Sequence, residues 1–190
     1  MTYSDILCKT LSMIQCEYMD KTLEYALAIN KSAELFEKMR IRRKTIFFIG
    51  NGGSAGIAMH MTTDFLKNGQ IRTHSMHDPT TLTCLGNDYG YEQVFSKQLE
   101  IVAEKGDMLV AISSSGNSPN IINAVNVARE KGCHVITLSG FKPDNRLRQL
   151  GDINIYVPSE EYGIVESIHN MILQQIVDEI MYKDREGAKK

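Results

Sequence analysis

In the stretch "GSAGIAMHMTTDF" (53–65), His60 and Asp64 stand four residues apart, a spacing that sets an imidazole and a carboxylate on one face of a helix. Such a pair suits zinc better than calcium, or the relay of a proton, or a merely solvated hydrogen-bonded contact. Two short runs carry a different chemistry. "GNGGS" (50–54) and "SSSGNS" (113–118) combine glycine, which lets the backbone pass close to a ligand, with hydroxyls that donate hydrogen bonds. Each run precedes a helical pattern whose first N–H groups lack partners and carry positive potential, a setting for an anion. No lysine follows the glycines and GxGxxG is absent, so one phosphate fits better than a triphosphate or a dinucleotide.

Strands must stand behind these bends. "TIFFIG" (45–50), "MLVAIS" (108–113), "HVITLSG" (134–140) and "INIYVP" (153–158) are short apolar runs closed by Gly, Ser or Pro, as in strands covered on both faces. "RTHSMHD" (72–78) is a less apolar fifth candidate. Helical patterns fill the intervals, for example "NIINAVNVAREKG" (120–132), which closes on Gly132. This alternation predicts an α/β fold with a doubly wound, five-stranded parallel sheet of order 2-1-3-4-5. Strands 1 and 3 are neighbours at the switch point of that order, so both bends converge on one crevice beyond the carboxyl ends. Residues 3–39 lack Gly and Pro and predict one or two helices; 162–184 predict a long one, striped by Ile164, Ile168, Ile172, Ile176 and Ile180.

The bulk properties exclude several classes. The chain has 190 residues, 43% hydrophobic and 23% charged, with net charge −2, which bounds it to one domain with a sizeable core. The run "KMRIRRK" (38–44) is the most basic stretch and reads as a solvated helix end, so nucleic acid is not expected as a partner. Cys8, Cys16, Cys84 and Cys133 form no CxxC pair, which fits reduced thiols in a cytoplasm. The opening "MTYSDILCKTLSMIQ" carries acids and is not a signal peptide, and no apolar run reaches membrane-span length.

Taken together, "GNGGSAGIAMH", "LGNDYG" and "ISSSGNSPNII" resemble the sugar-isomerase (SIS) domain family, in particular its short single-domain phosphoheptose isomerases, over about residues 5–182. The resemblance implies one SIS domain over 1–190: an N-terminal helical oligomerisation segment (1–40), an α/β core (41–160) and a C-terminal helix (161–184). It implies a homotetramer that converts sedoheptulose 7-phosphate into an aldoheptose 7-phosphate for bacterial surface polysaccharides (lipopolysaccharide or capsule). Carried over by position, Ser113, Ser114, Ser115 and Ser118 hold the phosphate. Asn51, Gly52, Gly53 and Ser54 line the substrate site with Asn87 and Asp88 of "GNDYG". The general base falls on Asp64, and a zinc site draws on His60, Asp64, Glu166 and Gln174.

At three of these positions the chain departs from the family pattern. Asp64 replaces the usual Glu, Gln174 the usual His, and Glu166 the usual Gln. Ketose–aldose interconversion moves a proton between adjacent carbons through an enediol, which needs a base, an acid for the carbonyl and shelter from water. Asp64 is one methylene shorter than Glu, and Gln174 cannot shuttle a proton; Glu166, a second carboxylate, can serve as base instead. Eight helical residues rise about 12 Å, so Glu166 and Gln174 reach one ion only by side-chain extension or with a neighbouring subunit, and His169 is an alternative ligand or proton carrier. The sequence thus predicts an isomerase with catalytic Asp64 and Glu166. The alternative is a non-catalytic SIS adaptor or phosphosugar sensor with a degraded site.

Overall fold

The computed structural model describes residues 1–187. Helix α1 (Tyr3–Leu11) is followed by a hairpin of β1 (Gln15–Tyr18) and β2 (Lys21–Leu23), then by α2 (Tyr25–Ile41). The core runs β3 (Thr45–Ile49), α3 (Gly53–Lys67), β4 (Arg72–Ser75), α4 (Pro79–Tyr89), α5 (Ser96–Val102), β5 (Met108–Ser113), α6 (Pro119–Glu130), β6 (His134–Ser139) and β7 (Ile153–Tyr156). A long helix, α7 (Tyr162–Gly187), closes the described chain.

The sheet has seven strands in the order β2-β1-β7-β6-β5-β3-β4. Its parallel part is β4-β3-β5-β6-β7, which in chain order of those five strands is 2-1-3-4-5. That parallel part is the doubly wound sheet expected from the sequence. The strand count differs because the hairpin adds two antiparallel strands alongside β7.

The N-terminal 40 residues are therefore helix–hairpin–helix, a correction to the all-helical expectation. Met19 and Asp20 both adopt positive φ, 48° and 63°, the twist that joins two strands through a two-residue bend. Their neighbours Tyr18 and Lys21 pair directly, and Cys16, paired with Ile155 of β7, is buried in the core. Strands this short carry too few alternations to be told from a helical pattern.

Side-chain alternation along the strands divides the core into two layers. Ile46 and Phe48 of β3 and Met108, Val110 and Ile112 of β5 face a layer formed with α2, α3 and α7. Phe36, Phe48 and Phe65 meet at its centre, the stacked Phe36–Phe65 pair having centroids 4.2 Å apart. Phe47, Ile49, Leu109 and Ala111 face the other layer, with α5 and α6. The isoleucine stripe of α7 lies wholly in the first layer, each member at most 1% exposed. A paired hydrogen bond from Arg40 to Asp184, at 2.6 and 2.9 Å, also ties α2 to α7. Both layers leave the carboxyl ends of β3 and β5 adjacent, which is where the site lies.

Candidate functional site

The first bend leaves β3 at Gly50 and enters α3 at Gly53, with Gly52 as the residue before the helix. Backbone bonding resumes at Ala55, whose N–H reaches Asn51 and Gly52 carbonyls at 3.3 and 3.1 Å. The amides of Gly53 and Ser54 thus precede the intrahelical ladder and remain for a ligand. His77 supports the bend from behind. Its Nε2–H donates to the Gly50 carbonyl at 3.0 Å while Nδ1 accepts the Ser75 hydroxyl at 2.8 Å. Burial lowers the His77 pKa, only partly offset by that carbonyl, so the ring stays neutral at pH 7.

The second bend leaves β5 at Ser113 and enters α6 at Pro119. Gly116 turns it: its φ is 65°, and a Cβ there would overlap the Asn145 side-chain amide. Asn145 is itself buried and pinned, donating to the Gly140 and Lys142 carbonyls at 3.1 and 2.8 Å. The Leu147 N–H donates to the Gly116 carbonyl at 2.9 Å, so a neighbouring segment buttresses the whole bend.

The two bends open onto one cleft of about 360 Å³. Its walls are Asn51, Gly52, Gly53 and Ser54 from the first bend, Ser113, Ser114, Ser115 and Ser118 from the second, and Tyr162 and Glu166 from α7. Ser113 and Ser118 hydroxyls lie 3.4 Å apart, and the Ser114 hydroxyl is buried with no partner among the described residues. The same lining thus carries an unspent hydroxyl at Ser114 and the first amides of α3, groups that suit an acceptor. The lining holds no Lys or Arg. Amides, hydroxyls and one helix end must hold any anion, which favours a single phosphate over a more highly charged group.

Glu166 is the ionisable carboxylate of this lining. It rests against the first residue of α3, so closely that a Cβ on Gly53 would overlap its carboxylate. Glycine at 53 is thus what admits Glu166. Tyr162, which the sequence did not single out, stands about one helical turn earlier with its ring edge-on to Phe141, centroids 4.8 Å apart.

The remaining expected residues divide. His60 Nε2 lies 3.4 Å from Asp64 Oδ2, so the pair forms on α3, outside the cleft lining. Asn87 and Asp88 are exposed at the end of α4, hydrogen-bonded to each other at 2.9 Å, and neither lines the cleft. The residue after the box, Tyr91, approaches the site, its hydroxyl donating to Asn51 Oδ1 at 3.1 Å.

Gln174 lies apart from the other expected ligands within one chain: it lines a separate groove on α7 with Asn170, Met171, Asp178 and Tyr182. Eight residues carry a helical side chain about 80° past two full turns and 12 Å along, so Glu166 and Gln174 cannot share a face. Among the described residues no group of three or more His, Cys, Asp and Glu side chains comes together to hold a metal. The four-ligand zinc site does not fit within one subunit. His169 is likewise not a ligand in this arrangement. It is 0% exposed, its Nε2–H donates to the Ser139 carbonyl at 3.1 Å, and burial holds its pKa down to about 4.

A model of the SIS domain family matches residues 16–140. The phosphoheptose isomerase of Aliarcobacter butzleri is 40% identical over 142 residues, covering 70% of this chain and 75% of its own. That of Helicobacter hepaticus is 36% identical over 157 residues, 80% of each chain. Among solved structures, the phosphoheptose isomerase of Neisseria gonorrhoeae superposes with a TM-score of 0.74 at 34% identity, covering 80% of this chain and 84% of that one. The phosphoheptose isomerase of Francisella tularensis gives a TM-score of 0.80 at 26% identity, covering 95% of each.

Proposed function

Since this chain belongs to the SIS domain family and, within it, to the phosphoheptose isomerases, we propose that its shared cleft is the seat of a heptose 7-phosphate. The protein is a ketose–aldose isomerase that converts sedoheptulose 7-phosphate to an aldoheptose 7-phosphate in heptose biosynthesis. The observation that carries the cleft assignment is the meeting of both bends around an unpartnered Ser114 hydroxyl and the first amides of α3.

In this proposal the phosphate accepts from the Gly53 and Ser54 amides and from Ser113, Ser114, Ser115 and Ser118. Asn51 and Gly52 form the floor beneath the sugar. Two carboxylates handle the protons. Asp64, polarised by His60 at 3.4 Å, takes the proton from one carbon and returns it to the next. Glu166, on the cleft wall, exchanges the proton of the neighbouring oxygen as carbonyl becomes hydroxyl. An extended seven-carbon chain seated at Gly53 reaches about as far as His60, roughly 10 Å along α3; Asp64 is rooted a further turn on, about 16 Å from Gly53, and acts there through the carboxylate it points back to His60 at 3.4 Å. No step is routed through a metal ion, because the donor set does not converge in one subunit.

Two coarser attributes complete the proposal. Exposed Leu27, Met59 and Leu66 on α2 and α3 favour burial against further copies, in keeping with a homotetramer, which light scattering tests. The four cysteines are all free thiols, in keeping with a cytoplasmic setting, and among the described residues no helix is long and apolar enough to cross a membrane.

The decisive experiment incubates the purified protein with sedoheptulose 7-phosphate and follows aldoheptose 7-phosphate. Turnover is expected, with Asp64→Asn and Glu166→Gln each lowering kcat by about 10²–10⁴-fold while inorganic phosphate still binds. Absence of turnover in the wild type, alongside intact phosphate binding, would restore the adaptor alternative.

A further inference from the structure

The two bends are joined by a side-chain pair of which the proposed chemistry uses only one member. Asn51 lies in the first bend and Asn120 is the second residue of α6, just past the other. Their amides face one another: Asn51 Nδ2 donates to Asn120 Oδ1 at 2.9 Å, and Asn120 Nδ2 donates to Asn51 Oδ1 at 2.9 Å. A reciprocal amide pair satisfies a donor and an acceptor on both sides and allows one relative orientation of the planes. Asn120 is 2% exposed, and its Oδ1 also accepts from the Ile121 N–H at 3.0 Å, so it is held rigidly by its own helix. Tyr91 adds its hydroxyl to Asn51 Oδ1, and Asn123 of the same helix donates to the Glu92 carbonyl at 3.0 Å. Asn120 does not line the cleft. It reaches the ligand only through Asn51.

We propose that Asn120 is a positioning residue, clamping Asn51 so that the two bends present their donors to one phosphate at a set spacing. The proposal rests on the phosphate reading of the cleft. Without the clamp each bend keeps its own donors, but they no longer converge, and a single misplaced donor set costs affinity steeply.

The test compares inorganic phosphate binding, by calorimetry, in wild type, Asn120→Asp and Tyr91→Phe, with thermal midpoints and steady-state kinetics alongside. Asn120→Asp keeps the shape of the side chain and replaces the donating NH2 by an oxygen that faces Asn51 Oδ1. Ionised, it repels that oxygen. The phosphate Kd of this variant is expected to exceed the wild-type value by tenfold or more at pH 8. KM at pH 8 should rise by the same factor with kcat within threefold. Tyr91→Phe, which removes one exposed hydroxyl and cannot unfold the chain, is expected to raise the Kd two- to fivefold. Wild-type binding with unchanged Kd in both variants overturns the clamp. Wild-type protein that binds no phosphate overturns the phosphate reading and the clamp with it.

Discussion

Acid should loosen the core behind the cleft through His169. Its ring is fully enclosed, Nε2–H is committed to the Ser139 carbonyl, and Nδ1 has no partner among the described residues. Protonation would place a charge and an unmatched donor in that space, which is why the pKa falls from 6.5 to about 4. The unfolded chain therefore binds a proton that the native chain refuses, and stability rises with pH across this window. Read downward, the contribution is intact above pH 6.5, falls by about 2 kcal/mol at pH 5 and by about 3 kcal/mol at pH 4. Urea denaturation at pH 7.5, 6, 5 and 4.5 measures it. Carboxylates and His77 also contribute slope, so wild type is compared with His169→Gln, whose amide can still donate to Ser139. The variant loses some stability at pH 7.5 through poorer packing, but its decline toward pH 5 should be shallower by about 2 kcal/mol. Parallel curves for the two proteins would refute the reasoning.

Other changes separate binding from folding. Ser114→Ala removes a hydroxyl with no partner, so the thermal midpoint should hold within a degree while KM rises about tenfold, the worth of one hydrogen bond to a charged group. Gly116→Ala forces a side chain into positive φ and onto Asn145; a loss of roughly 1–3 kcal/mol in urea melts and of phosphate binding is expected.

Much of this arrangement was legible in order and period. Short apolar runs closed by Gly, Ser or Pro identified four of the five parallel strands, with the less apolar run at 72–78 as the fifth, and the switch-point rule alone brought residues 50–54 and 113–118 to one mouth. What escaped lay at two other scales. The hairpin at 15–23 is too brief for its period to outweigh the helical patterns on either side. Gln174 entered the expected ligand set by correspondence of position, and within one chain it lines a different groove of α7 from Glu166. His77 and Asn120 act through hydrogen bonds to residues 27 and 69 positions away, and no local spacing announces such partners. Tyr162 reaches the cleft only because α7 returns to pack on α3, a matter of tertiary path.

The hairpin that displaced the expected helix also decides how this protein meets its neighbours in a crowded solution. By lying along β7, it converts what would have been a lateral border of parallel strand into an interior one, and hands the border to β2, which is three residues long. The opposite border, β4, is four residues long and begins with the exposed cation Arg72. Truncated, charged margins offer little purchase for a stray strand from another molecule. A sheet this apolar can therefore remain discrete at high concentration, and lengthening either margin by a few β-branched residues should be the most direct way to make it fibrous.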